Sequence, residues 1–243
     1  MSRALGSFVV FVCALAVLLG AVAWWLGAPL LELALDGEQR QAPYHVLYMS
    51  DAADSPTLLD DGSGLTYQQA FTRLLAEQQV AALWRTTQVA VAAGEVADEW
   101  QRVVLTRFPS GAELVRSVTA GSYRKLAQAA PGGARMVLGL GSRAPTGLAA
   151  ELLLVAAAVP EGGENPLPAA LQPALAAGGR VLFDGPAVVL EGTASVNQVL
   201  LLGFDSAATV DDWLLQAATE TELALLRTRV QALTIWRFMD VRR

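Results

Sequence analysis

Hydrophobic and polar positions change character near residue 32. Between Leu5 and Leu31 no side chain is charged, and the run FVVFVCALAVLLGAVAWWLGAPLL exceeds the roughly 20 apolar residues that a helix needs to cross a hydrocarbon core. This pattern predicts a membrane helix within residues 1–34. Beyond a polar linker, LDGEQRQAP (35–43), the apolar positions come in short runs. YHVLYM (44–49) has the aromatic and β-branched character of a strand, and DAADSPTLLDDGSG breaks it with Asp, Pro and Gly. Thr66 is placed to N-cap a helix in YQQAFTRLLAEQQV, where Ala70, Leu74 and Leu75 recur at near-helical spacing. AALWRTTQVAVAAG (81–94) and WQRVVLTRF (100–108) predict strands. AELVRSVTAGSYRKLAQA (112–129) predicts a helix ended by Pro131-Gly132-Gly133, and ARMVLGLG (134–141) a further strand.

The same order then recurs. ELLLVAAAV (151–159) is a strand too short to cross a membrane, and PAALQPALAAGG (168–179) is a helix with a Gly-Gly stop. RVLFDGPAVVLEG and NQVLLLGFDS predict strands, TVDDWLLQAATETELALLRTRV a helix, and ALTIWRFMDV the last strand. VVLTRFPS (103–110) overlays VLLLGFDS (199–206), matching Phe108 to Phe204 and Ser110 to Ser206, while Gly94 and Gly192 close the preceding strands. Two copies of one supersecondary unit follow from a repeat of this length. The order βαββαβ is the split-βαβ, ferredoxin-like arrangement, an antiparallel sheet with both helices on one face. Its other face must be covered, and the second copy's sheet is the available cover. The expected fold is therefore α+β, with two ferredoxin-like repeats (44–145 and 146–243) packed sheet to sheet within one chain, behind one transmembrane helix.

Arg3 and the α-amino group flank one side of the apolar run, and Glu32, Asp36 and Glu38 follow the other. The positive-inside bias puts the N-terminus in the cytoplasm and residues after about 32 outside, with Trp24 and Trp25 at headgroup level and Pro29 as a helix stop. The chain is thus expected at the cell membrane, single-pass, with a periplasmic or extracellular domain. The alternative is export after signal-peptide cleavage at Ala21-Val22-Ala23, which the length of the run past that site disfavours. Cys13, the one cysteine, falls inside this segment, so no intrachain disulfide is expected and the exported part has no thiol for a metal.

Composition narrows the partners. Hydrophobic residues make up 53% of the chain and charged residues 16%, and the mean hydropathy is +0.40. The net charge of −6 argues against nucleic acid or an anionic membrane surface, which both need a basic footprint.

EWQRVVLTRFPSGAELVRSVTAGSYRKL resembles the family catalogued as domain of unknown function 1330, within the dimeric α+β barrel superfamily. The features that carry the resemblance are Trp100, the apolar strand, Phe108-Pro109-Ser110, and Ser122-Tyr123 before Lys-Leu. It covers about residues 44–141, and the second half looks like a degenerate copy in which Asp205 replaces Pro109. The resemblance implies pairing through the sheets, here within one chain, and supplies no activity.

Few residues are suited to catalysis. Ser110 follows a proline rather than sitting in a glycine-flanked elbow, and it precedes a helix as Ser206 does, so both read as N-caps. His45 is the sole histidine and so the only base a serine triad could use; it is a candidate catalytic or ligand-binding residue, and a histidine metal site lacks a second histidine. Arg107, a second catalytic candidate, and Arg85 are basic residues in apolar strands, and either could hold an anionic ligand. Asp51, Asp54, Asp60 and Asp61 share one loop without the EF-hand spacing, and read as a solvated turn. Gly139-Leu140-Gly141-Ser142-Arg143-Ala144 matches a loose dinucleotide fingerprint but runs into the second repeat, so it reads as a linker. Glu113, Arg116, Arg124 and Lys125 read as solvated helix faces. With no cofactor or metal expected, the chain reads as a non-enzymatic module binding a small apolar or anionic ligand or a membrane-protein partner. The alternative is a cofactor-independent enzyme with a small organic substrate in the barrel pocket.

Overall fold

A computed structural model describes residues 36–50, 59, 63–94, 100–129, 135–192 and 195–243. The expected membrane segment, Cys13, and Asp51, Asp54, Asp60 and Asp61 lie outside these residues. Among the described residues no helix is long and apolar enough to cross a membrane.

The first half runs α1 (Gly37–Gln41), β1 (Tyr44–Ser50), α2 (Tyr67–Glu77), β2 (Ala81–Thr86), β3 (Gln88–Gly94), β4 (Arg102–Phe108), α3 (Gly111–Thr119), α4 (Gly121–Gln128) and β5 (Arg135–Gly141). The second runs β6 (Glu151–Ala158), α5 (Leu167–Ala170), α6 (Gln172–Ala176), β7 (Arg180–Pro186), β8 (Val188–Glu191), β9 (Gln198–Phe204), α7 (Ala207–Leu214), α8 (Ala217–Arg229) and β10 (Ala232–Met239). Two five-stranded sheets result, ordered β2-β4-β1-β5-β8 and β3-β10-β6-β9-β7. Every neighbouring pair is antiparallel. The first four strands of one order, and the last four of the other, each form a ferredoxin-like sheet.

The fifth strand in each sheet comes from the other half, which corrects the expectation of one continuous strand over 81–94 and another over 180–192. Each of those stretches bends at a single residue, Thr87 or Ala187, and crosses to the opposite sheet. The exchange has a physical reason: β5 and β10 would otherwise be open edges, and β8 and β3 supply their missing backbone partners. Thr86 fixes the first bend, because its hydroxyl donates to the Met239 carbonyl and accepts from Gln88 N–H at 3.0 Å. At the far edge of the first sheet, Arg85 and Arg242 exchange backbone hydrogen bonds of 2.8 and 2.9 Å, so the C-terminal residues cover β2.

Strand alternation sorts the core into three layers. Between the sheets pack Leu47, Met49, Val103, Leu105 and Leu138 from one and Leu152, Leu154, Leu201, Trp236 and Phe238 from the other. Trp84 meets Phe238 across this layer, with ring centroids 6.0 Å apart. The outward faces bury Tyr44, Val46 and Tyr48 under α2, α3 and α4, and Leu153, Val155 and Ile235 under the helices of the second half.

The helices open as the sequence indicates and break where it does not. Thr66 and Gln69 form a capping box at α2. Ser110 accepts from Glu113 N–H and Ser206 from Thr209 N–H, each at 3.2 Å. The expected helix 112–129 is two, since Ala120 is extended and Thr119 Oγ1 bonds back to the Val115 carbonyl at 2.8 Å. The expected helix 209–230 divides likewise at the extended Gln216, and that of 168–179 at Leu171, where Pro173 in the next turn has no N–H to give.

Candidate functional site

The barrel interior was the expected place for a pocket, and among the described residues it holds a packed apolar layer. Trp84, Trp236, Phe183 and Phe238 bring enough ring volume to pack the inter-sheet layer. Open space lies instead on the helix face of the first sheet.

That space follows from how α2 and α4 bury their faces. Tyr67, Phe71, Leu74 and Leu75 turn α2 toward the sheet, which leaves Ala70, Arg73 and Glu77 along one side of the helix. Tyr123 and Leu126 do the same for α4, leaving Ser122, Lys125 and Ala129. Between these two walls runs a groove of about 560 Å³, closed at one side by Leu59, Ser63 and Leu65. Leu59 is held there by its N–H, which donates to the Leu65 carbonyl at 2.8 Å. Leu74 and Leu126 form an apolar floor. On the rim, Arg73 Nε donates to Glu77 at 2.8 Å, so these two charges neutralise one another. Lys125, also on the rim, makes no ion pair among the described residues.

Beneath the N-terminal end of α2 lies a smaller cavity of about 20 Å³ lined by Tyr48, Ser50, Tyr67, Gln68, Phe71 and Arg102. Its volume suits roughly one water molecule rather than a ligand. Beside Met49 and Val104 its walls carry polar and aromatic side chains, with Phe71 edge-on to Tyr48 at 5.1 Å and parallel to Tyr67 at 6.2 Å. In the second half the positions matching Tyr48, Ser50, Arg102 and Val104, aligned on Phe108 and Phe204, are Val155, Ala157, Gln198 and Leu200, all buried aliphatic core except the half-buried Gln198.

Two of the three residues singled out from the sequence come together. His45 and Arg107 are direct cross-strand partners on β1 and β4, on the face toward the second sheet. His45 is 2% exposed. Its Nδ1 donates to the Gly141 carbonyl at 3.2 Å, and its Nε2 has no partner among the described residues. Burial, and then the Arg107 charge, hold the imidazole below its usual pKa against the pull of the Gly141 bond. Arg85 lies apart from this pair, exposed at the outer surface beside α2, in a shallow depression with Thr66, Gln69, Thr72 and Arg73. Neither His45 nor Arg107 lines the groove, because both lie on the opposite face of the first sheet.

Other expectations also find their places. Gly139 and Gly141 end β5, and no helix follows them before β6, so the dinucleotide arrangement is not formed. A Cβ on Gly139 would come within 2.8 Å of Tyr44 Oη, so close packing requires that glycine. Among the described residues no group of three His, Cys, Asp or Glu side chains could hold a metal. The second half carries its own charge cluster. Arg237 Nε donates to Glu151 at 2.8 Å and its guanidinium also pairs with Asp211. Burial opposes that charge, but the hydrogen bonds to Glu151 and Asp211 outweigh it and hold the guanidinium above its usual pKa.

The groove is not legible from Lys125 and its neighbours, whose charges read as a solvated helix face. The signal lay in Ala70 with Leu74 and Leu126 with Ala129, apolar positions that widen the helical stripes beyond what one sheet can cover.

The class defined is an α+β fold whose two antiparallel sheets, each completed by the other half, pack as a barrel within one chain. No protein-family profile matches the chain, and no curated protein matches it. Among solved structures, a candidate monooxygenase from Fusobacterium nucleatum is 8% identical, with a TM-score of 0.43 over 82% of this chain and 92% of that one. A mutant chlorite dismutase from Candidatus Nitrospira defluvii is also 8% identical, with a TM-score of 0.42 over 84% and 94%. A haem-binding protein from Thermus thermophilus is 11% identical, with a TM-score of 0.38 over 82% and 91%. Likeness at this level carries no chemistry to the present chain.

Proposed function

We propose that the chain is a membrane-tethered, non-enzymatic binding module whose first half takes a small ligand with an apolar body in the groove between α2 and α4. The observation that carries this reading is the groove itself: about 560 Å³ of space with a leucine floor and a charged rim, within the usual size range of small-molecule sites. Binding is favoured over turnover because Arg73 and Glu77 engage each other, and because the imidazole of His45 lies across the sheet. In this reading the chain is a two-copy relative of the domain of unknown function 1330 family, carried on an N-terminal anchor. Phe108-Pro109-Ser110 at the β4–α3 corner supports that kinship.

The test is photolabelling of the full chain in lipid nanodiscs with a diazirine-bearing dodecanol, followed by peptide mass spectrometry. Label is expected on α2 and α4, and Ala70→Trp or Ala129→Trp, which fill the groove from opposite walls, should remove it without changing the circular dichroism. Competing alcohols should gain affinity by up to about fourfold per added methylene until the floor is covered. Label spread evenly over the surface, or unchanged in both variants, would sink the proposal.

A further inference from the structure

We infer that the groove between α2 and α4 selects a single-chain amphiphile with an anionic head, a carboxylate on an aliphatic tail. The inference rests on the proposed ligand-binding role of this groove and adds the chemical class of its occupant. The tail is assigned by the floor and the closing side, since Leu74 and Leu126 below and Leu65 beside them offer hydrocarbon side chains and no side-chain hydrogen-bond partner to a polar chain. The head is assigned by the rim. Arg73 and Glu77 cancel in a 2.8 Å ion pair, which leaves the Lys125 ammonium as the rim's uncompensated charge. Ser122 also lines the groove, and a serine hydroxyl can donate to a carboxylate oxygen.

The relative weights of head and tail follow from exposure. Lys125 is exposed, so its attraction for a carboxylate is screened and supplies selectivity rather than most of the affinity. The chain's net charge of −6 repels an anion at long range, so apolar contact must bring the ligand in. A cationic amphiphile with the same tail gains the floor but meets Lys125 with the wrong sign.

The experiment is competition against the diazirine-dodecanol label on the full chain in nanodiscs, with dodecanoate, dodecanol and dodecyltrimethylammonium as competitors. Dodecanoate is expected to compete best and the ammonium worst. Lys125→Ala should weaken dodecanoate about two- to fivefold while leaving dodecanol unchanged, and Lys125→Arg should restore it. Equal competition by all three, with label still confined to α2 and α4, overturns the headgroup assignment and leaves the groove standing. Absence of label from α2 and α4 overturns both. Cross-linking between two chains through these helices overturns the inference in favour of a second copy as the occupant.

Discussion

The Tyr123 hydroxyl donates to the Glu191 carboxylate at 2.6 Å. The bond joins the two halves, because Tyr123 stands on α4 of the first and Glu191 ends β8, the strand that the second half lends to the first sheet. Tyr123 is 3% exposed, so the contact is made under the helix rather than in solvent.

Removing that hydroxyl should loosen the exchanged strand. Tyr123→Phe is expected to lower the unfolding free energy by about 1.5–3 kcal/mol, the range for a hydrogen bond to a charged partner. Urea titration measures it, and hydrogen exchange should locate the loss in β8 and β5. A change under about 0.5 kcal/mol, the level of an ordinary surface substitution, would mean that β8 is held by backbone pairing alone.

Acid should act through His45. Its pKa is lowered in the folded chain, so below the ordinary imidazole value the unfolded chain binds a proton that the folded chain refuses. This contribution to stability is therefore complete above about pH 6.5 and is lost as pH falls from there toward the lower folded value. His45→Gln keeps a polar side chain of similar reach without the titration, and it should flatten the stability profile over that interval. An unchanged slope in His45→Gln would show that the imidazole is not the group responsible. Arg107→Ala removes the neighbouring charge, which raises the folded imidazole's pKa toward its ordinary value, so in urea titrations across pH the loss should be smaller and should end at a higher pH.

Much of the fold could be read from residues whose local chemistry is unambiguous. Ser110 and Ser206 announce helix starts because a hydroxyl there meets free backbone N–H groups, and the structure gives both the same 3.2 Å bond. The bend at Thr87 was not legible, because AALWRTTQVAVAAG has no glycine or proline at the turn and reads as one strand, whereas Gly185-Pro186 stands directly before the bend at Ala187 and does mark it. What bends the chain at Thr87 is the demand of β10 for a partner, which is non-local. Likewise, nothing in the sequence pairs His45 with Arg107; a register between β1 and β4 does. The groove was hidden for a related reason, since its walls come from helices separated by three strands and another helix.

The two copies differ most sharply at one corner, and exchanging that corner tests the alignment between them. With Phe108 matched to Phe204, Tyr44 falls on Glu151 and Gly139 on Arg237. In the first half the tyrosine ring lies over a glycine, and in the second a glutamate bonds to an arginine at 2.8 Å. These are two ways to fill the same space, one by ring volume and one by paired charge. The Glu151 and Arg237 side chains are 10% and 13% exposed, whereas Asp211 is 55% exposed. Losing Arg237 therefore strands Glu151 but returns Asp211 to water. Arg237→Gly alone, or Glu151→Tyr alone, should cost about 3–5 kcal/mol, as breaking a buried pair does. The double substitution rebuilds the first half's arrangement, so it should cost less than the two singles added, with favourable coupling of about 1 kcal/mol or more. Glycine in the strand sets a floor of roughly 0.5–1 kcal/mol on the remaining loss. Urea titration of the four variants gives the cycle, and strictly additive losses would show that the corners are not equivalent despite the matching strand registers.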